Sequence, residues 1–363
     1  MTSLRERGFT VVEMMVSLGL SAAVCAAVFT LVRGQLIAHE MSDQILRSQA
    51  NVRAGTDYVE NVLRRACGGV SQGGIGINVG GGVAATVTSC VRVYDAAPMS
   101  GTEYTNGTFT SGAAANAVSM SDAIEFIYPT TTPTMVVSLT GLSLKVGNIA
   151  GLAQGDFLLV SDGTNGVVVK AASVTADAGS TTPSYPGGTV VLATAVTTLP
   201  SGYTGVTAGN TVFKVSAAAL YVPTTGTYAN MLLYDPDGPL GTTHDDADPL
   251  VDGVVDLQVA VAVDANGDGL ITENASSAGA DEWVGNYAGE LPLPATPWNT
   301  TGASMLRSMR VTLLTRTINT YSGGVPALGP YEDRSTFPTV SLGTPRYRSE
   351  RIVVSPRAWN LSN

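Results

Sequence analysis

Arg7-Gly8-Phe9-Thr10-Val11-Val12-Glu13 opens the stretch whose reading decides the fold: FTVVEMMVSLGLSAAVCAAVFTLV, positions 9–32, closed by Arg33. The run carries a single charge, Glu13, and a helix needs about 20 apolar residues to cross a bilayer. Arg5 and Arg7 precede it, so the positive-inside rule keeps the N-terminus cytoplasmic and sends the rest across. An ordinary secretory signal has an apolar core of about 7–15 residues and a small-x-small cleavage site, and this run is longer. A lipoprotein signal needs a small residue before Cys25, where Val24 stands. A plain anchor stays open. Burying a carboxylate in lipid costs at least about 2.5 kcal/mol, however, and an anchor gains nothing from Glu13.

The string Arg7–Glu13 closely resembles the type IV prepilin signal. The resemblance implies that a prepilin peptidase cuts between Gly8 and Phe9, on the cytoplasmic side of the apolar run, and methylates the new amine of Phe9. It also implies that Gly8 must be small to enter the peptidase and that Glu13 pairs with the amine of a neighbouring subunit. The hydrophobic helix is then retained. A free α-amine has a reference pKa near 7.7–8 and is largely cationic at neutral pH. In an apolar filament core a paired charge costs far less than an unpaired one, so Glu13 is expected to register subunits.

Beyond Arg33 the pattern becomes amphipathic. Met41, Ile45, Val52, Val59, Val62, Leu63 and Ala66 recur at helical steps, with Asp43, Arg47, Arg53, Asp57 and Arg64 between them, until Gly68-Gly69. A helix from Phe9 to about Ala66 would run roughly 87 Å. The division expected is a leader at 1–8, a membrane and filament-core half-helix at 9–33, an amphipathic half at 34–67 and an extracytoplasmic head at 68–363.

Charge is unevenly placed. Residues 215–306 hold 13 acidic side chains and no Lys or Arg, while 307–363 hold eight Arg against three acids. An acidic body lacks the cationic footprint of nucleic-acid binding. Whether the basic end pairs with the acidic stretch within the head or across to a neighbour is open at this level.

Cys67 and Cys90 flank a Gly-rich stretch, 68–86, read as a flexible loop; no Lys follows it as a phosphate-cradling loop requires. In an oxidising compartment the two thiols are free to pair and a Cys67–Cys90 disulfide is expected; two unpaired, partly buried thiols are the alternative. Strand signals follow at Ala123–Tyr128, Val136–Val146, Phe157–Val160, Val167–Val174, Thr189–Ala195, Val212–Val222, Met231–Tyr234, Val254–Val263, Met309–Thr317 and Arg351–Ser355. The fold class expected is α+β, of pilin type: a long N-terminal helix packed on an antiparallel sheet, with a second β-subdomain at about 130–225.

Asp264-Ala265-Asn266-Gly267-Asp268-Gly269-Leu270 matches the first seven positions of an EF-hand-type calcium loop. Side-chain oxygens fall at positions 1, 3 and 5, and the carbonyl of Leu270 at position 7. Position 12, where a bidentate Glu belongs, is Ala275; Glu273, Asp281 or Glu282 are the candidates to complete the shell. Calcium is one reading, and a polar turn between strands the other. The His244-Asp245-Asp246-Ala247-Asp248 cluster offers metal ligands or a solvated loop, and His39 suggests nothing specific. Two histidines and no G-x-S-x-G, H-E-x-x-H or CxxC pair leave a non-enzymatic protein as the expectation.

Three later segments resemble PilW-type minor pilins: Gly155–Asp162, Val251–Val259 running into Asp264–Gly269, and Arg307–Arg316. That resemblance implies a minor pilin of the type IVa pilus, held in the inner membrane before assembly and at the cell surface after it. Its partners would be the prepilin peptidase, other minor pilins in a tip complex that primes polymerisation, the major pilin and, as a further candidate, a large tip adhesin. The J-type minor pseudopilin of a type II secretion system is the rival of the same export class. An anchored extracytoplasmic binding protein is the rival of another.

Overall fold

The computed structural model describes residues 10–70, 74–83, 85–94, 121–177, 187–223, 227–240, 246–264, 268, 270–273, 282–285, 305–317 and 347–355. The chain divides into two compact units, Met1–Ala50 and Asn51–Asn363. One helix, α1, spans Val11–Leu63. In the first unit the apolar side chains of the 11–32 stretch of α1 are exposed, Val11 at 76% and Phe29 at 71%, while Met41 and Ile45 are half-buried. Hydroxyls costly in lipid are returned to the helix itself: Ser17 Oγ donates to the Met14 carbonyl and Thr30 Oγ1 to that of Ala26, each at 3.0 Å. By length and composition this helix can cross a membrane.

In the second unit α1 buries Val52, Gly55, Thr56, Val59, Val62 and Leu63, the three- and four-residue spacing of one helix face. Gly55 is there because strand side chains come close: a Cβ would lie 2.8 Å from Val251 Cγ2 and 3.6 Å from Leu313 Cδ1. The regular helix ends at Leu63, three residues before the expected Ala66, and a turn runs on to Gly69. Cys67, at φ 61, and Gly69, at φ 96, adopt the left-handed conformation that closes helices.

Sixteen strands are described in this unit. They are β1 Gly74–Asn78, β2 Thr86–Ser89, β3 Val91–Tyr94, β4 Ala123–Pro129, β5 Thr134–Thr140, β6 Ser143–Val146, β7 Phe157–Ser161 and β8 Gly166–Ala176. Then come β9 Gly188–Leu192, β10 Thr211–Tyr221, β11 Met231–Asp235, β12 Asp248–Asp252, β13 Val254–Asp264, β14 Trp283–Val284, β15 Met305–Arg316 and β16 Tyr347–Val354. The first twelve form one sheet, and β14-β13-β15-β16 a second, four-stranded and antiparallel. The α+β layout expected, a long helix and a strand-rich head, is present; the large sheet is mixed rather than purely antiparallel, because β1 runs parallel to β8.

Part of the large sheet closes on itself. β5 pairs β6, β6 pairs β9, β9 pairs β8, β8 pairs β7, β7 pairs β10, and β10 returns to β5. This ring is a small barrel filled by inward residues such as Val136, Leu144, Val160, Val169, Val190 and Val212, a core distinct from the one under α1. β10 belongs to both: Thr211–Val215 pair β7 in the barrel, and Val215–Tyr221 pair β4 in the sheet beside the helix.

The larger core joins Val59, Val62 and Leu63 of α1 to Ile124 and Phe126 of β4, Leu220 of β10, Leu257 and Val259 of β13, and Val311 and Leu313 of β15. Each fully buried Val or Leu contributes roughly 1.5–3 kcal/mol, so the end of the helix, from Val52 to Leu63, is a structural member of the head. Polar bonds join the two sheets. Asp122 N donates to the Leu257 carbonyl at 2.8 Å, and Val259 N donates to Asp122 Oδ2 at 2.7 Å.

The Gly-rich stretch departs from the loop expected. It contains β1, whose five residues are all buried. A Cβ on Gly74 would fall 2.5 Å from Asn165 Oδ1, and one on Gly76 would fall 2.3 Å from the Thr198 carbonyl. These glycines therefore mark close backbone approach in a strand, while Ile75 and Ile77 fill the core.

Candidate functional site

Gly8 and Phe9 lie outside the described residues. Description begins at Thr10, and the start of α1 is a reciprocal cap. Thr10 N donates to Glu13 Oε2 at 3.1 Å, and Glu13 N donates to Thr10 Oγ1 at 3.2 Å. Thr10 Oγ1 also donates to Glu13 Oε2 at 3.1 Å. This is the capping box that T-x-x-E writes into a helix start, with the carboxylate at the positive end of the helix dipole. The carboxylate singled out in the apolar run therefore has partners within its own chain, yet stays exposed. It can serve the helix in a single subunit and still be reached by a cation from outside.

At the other end of α1, Cys67 and Cys90 are disulfide-bonded, with Cα atoms 5.2 Å apart. Ile127 of β4 completes the junction: Cys67 N donates to its carbonyl at 3.0 Å, and its N–H donates to the Cys90 carbonyl at 2.8 Å. The helix end is thus tied to a central strand covalently and through the backbone. Cys25, in the apolar run, is exposed and unbridged.

Of the calcium-like motif, Asn266 lies outside the described residues. Asp264 ends β13, buried at 1% exposure, and its Oδ2 accepts a hydrogen bond from Arg307 at 3.0 Å. Asp268 is exposed, and its Oδ1 accepts from the Leu270 N–H at 2.8 Å. Leu270 is itself exposed at 70%. Of the residues considered for completing a shell, Glu273 pairs with Arg310 at 2.7 Å, and Glu282 accepts from Thr272 N at 2.9 Å. Asp281 and Ala275 lie outside the described residues. Among the described residues, the basic end of the chain thus pairs with the acidic stretch inside the head at Arg307 and Arg310.

His244 and Asp245 also lie outside the described residues. Asp246, beside them, comes together with Asp235 and Asp237, their carboxylate oxygens all within 4.8 Å of one another. Asp235 spends one oxygen on the local backbone, accepting from the N–H groups of Asp237 and Gly238, each at 3.1 Å.

Burial pushes the phenols of Tyr58, Tyr94, Tyr203 and Tyr234 above the ordinary 10.0. Tyr94 donates to the buried carboxylate of Glu125 at 2.9 Å, and Arg92 lies 3.3 Å from that same carboxylate. Tyr128 and Tyr234 share a hydroxyl hydrogen bond at 3.1 Å. These groups hold strands together and are spread through the head.

Thr10 and the two β15 arginines were not singled out from the sequence. The T-x-x-E spacing carries the signal for Thr10; the partners of Arg307 and Arg310 lie 43 and 37 positions away and leave no local signal. Residues 3–29 match the family described as the prokaryotic N-terminal methylation motif. No curated protein and no solved structure matches the chain. The motif, with the apolar helix behind it, supports a type IV prepilin-like protein, pilin or pseudopilin, that is processed by a prepilin peptidase, anchored in a membrane and assembled with other pilins.

Proposed function

We propose that this protein is a PilW-type minor pilin of a type IVa pilus, one of the few subunits whose tip complex primes polymerisation of the major pilin. The observation that carries the reading is Glu13, capped into the first turn of an apolar helix five positions after Gly8. Its mode of action is assembly rather than catalysis. Apolar helices bundle, and Glu13 exchanges its contacts with Thr10 for the amine of a neighbouring Phe9. Pairing offsets the cost of both charges inside the filament. The head then presents partner surfaces, a large tip adhesin among the candidates.

The PilW element rests on the resemblance of three segments in the sequence, two of which lie side by side in this fold. Val251–Val259 and Arg307–Arg316 contribute to adjacent strands, β13 and β15, with Leu257 opposite Leu313 and Val259 opposite Val311. Deletion of the chain, scored for surface piliation, twitching and enzyme secretion, tests the proposal. Loss of piliation and twitching with secretion intact is the expected result. Loss of secretion alone would make the chain a pseudopilin. No change in either would leave it an anchored extracytoplasmic protein.

A further inference from the structure

The acidic segment that reads like a calcium loop has counter-charge from inside the protein. Asp264, the residue in the first ligand position, is buried at 1% exposure and bonded at 3.0 Å to Arg307. Glu273 is paired at 2.7 Å with Arg310. Arg310 is itself buried, and its guanidinium lies 4.4 Å from the centroid of the Trp283 ring in β14. A planar guanidinium suits this double duty, forking to a carboxylate while stacking on an aromatic face. Both arginines project from β15, which pairs β13 along nearly its whole length. An independent sequence fact agrees: Ala275 stands where a calcium loop places its bidentate glutamate.

We infer that Arg307 and Arg310 take the place of a metal in this segment, as fixed internal cations that hold the end of β13 and the short edge strand β14 on the four-stranded sheet. Divalent cations are then not required for this part of the head. The arrangement also covers part of an edge, since β14 pairs Val261 and Ala262 of β13 on the side facing away from β15. The inference stands on the head alone and is independent of the pilin reading.

The test uses the full chain in detergent micelles, with thermal unfolding followed in chelator and in millimolar calcium. The wild type is expected to melt at the same midpoint in both. R307Q and D264N are each expected to lower the midpoint by several degrees, and the double variant by clearly less than their sum, because each single change strands one buried charge. A calcium-dependent rise of the wild-type midpoint would overturn the inference, as would strictly additive losses. Should R307Q fail to fold, R310Q with E273Q forms a second cycle, on the pair whose carboxylate is half-exposed, read by the same criteria.

Discussion

The N–H of Cys67 donates to the carbonyl of Ile127 at 3.0 Å. This places the end of the pilin-like helix directly on β4, and the bond to Cys90 makes the attachment covalent. Removing the bridge as C67S/C90S frees a loop of 23 residues, which should cost the head about 3 kcal/mol. Denaturant unfolding of the full chain in micelles, compared with the reduced wild type, checks this. Equal midpoints for oxidised and reduced protein would show that the bridge adds nothing.

Gly55 is predicted to be intolerant of even one carbon. In an open helix Gly→Ala gains about 1 kcal/mol, but here the added Cβ would meet Val251 at 2.8 Å. G55A should therefore lose about 1–3 kcal/mol through overpacking, and V251A should remove most of that penalty. A melting series of the two single variants and the double reads it. A stabilised G55A would contradict the close packing of α1 on β12.

Alkaline pH should loosen the head. Burial raises the phenols of Tyr58, Tyr94, Tyr203 and Tyr234 above 10.0, so the unfolded chain ionises them first. A raised folded pKa gives stability that is complete below the unfolded value and lost as pH climbs beyond it. The unfolding midpoint is expected to hold flat up to about pH 9.5 on this account and fall above it. Y94F should keep its ring packing, remove one ionisable group and flatten the decline; an unchanged slope would argue against Tyr94 as a contributor.

The capping box separates two roles of Glu13. T10V removes the hydroxyl that accepts from Glu13 N and should cost the helix start about 1 kcal/mol while leaving the carboxylate in place. E13Q removes the charge. Incorporation into sheared surface filaments, measured by quantitative mass spectrometry, is expected to fall modestly for T10V and severely for E13Q. Equal losses would assign the function to capping alone.

Local patterns in the sequence were enough for the long helix and most strands, because a 3.6-residue or two-residue period needs no knowledge of distant residues. The barrel was not legible as a barrel. Its closure depends on β10 pairing β7 and β5 at once, which no period encodes. The Gly-rich segment misled because Gly74 and Gly76 look flexible in sequence, whereas Asn165 and the Thr198 carbonyl crowd them in space. The pairing of Asp264 with an arginine was not legible, because that partner lies in a strand 43 residues on. The Cys67–Cys90 disulfide expected from the sequence is made in the fold.

The most direct measurement is mass spectrometry of the mature chain's N-terminal peptide, from cells carrying the prepilin peptidase. The account predicts a chain beginning at N-methylated Phe9, lacking residues 1–8, and an unprocessed chain when Gly8 is replaced by Trp. A wild-type mature protein that still carries Met1–Gly8, or one cut after the apolar run, would contradict it.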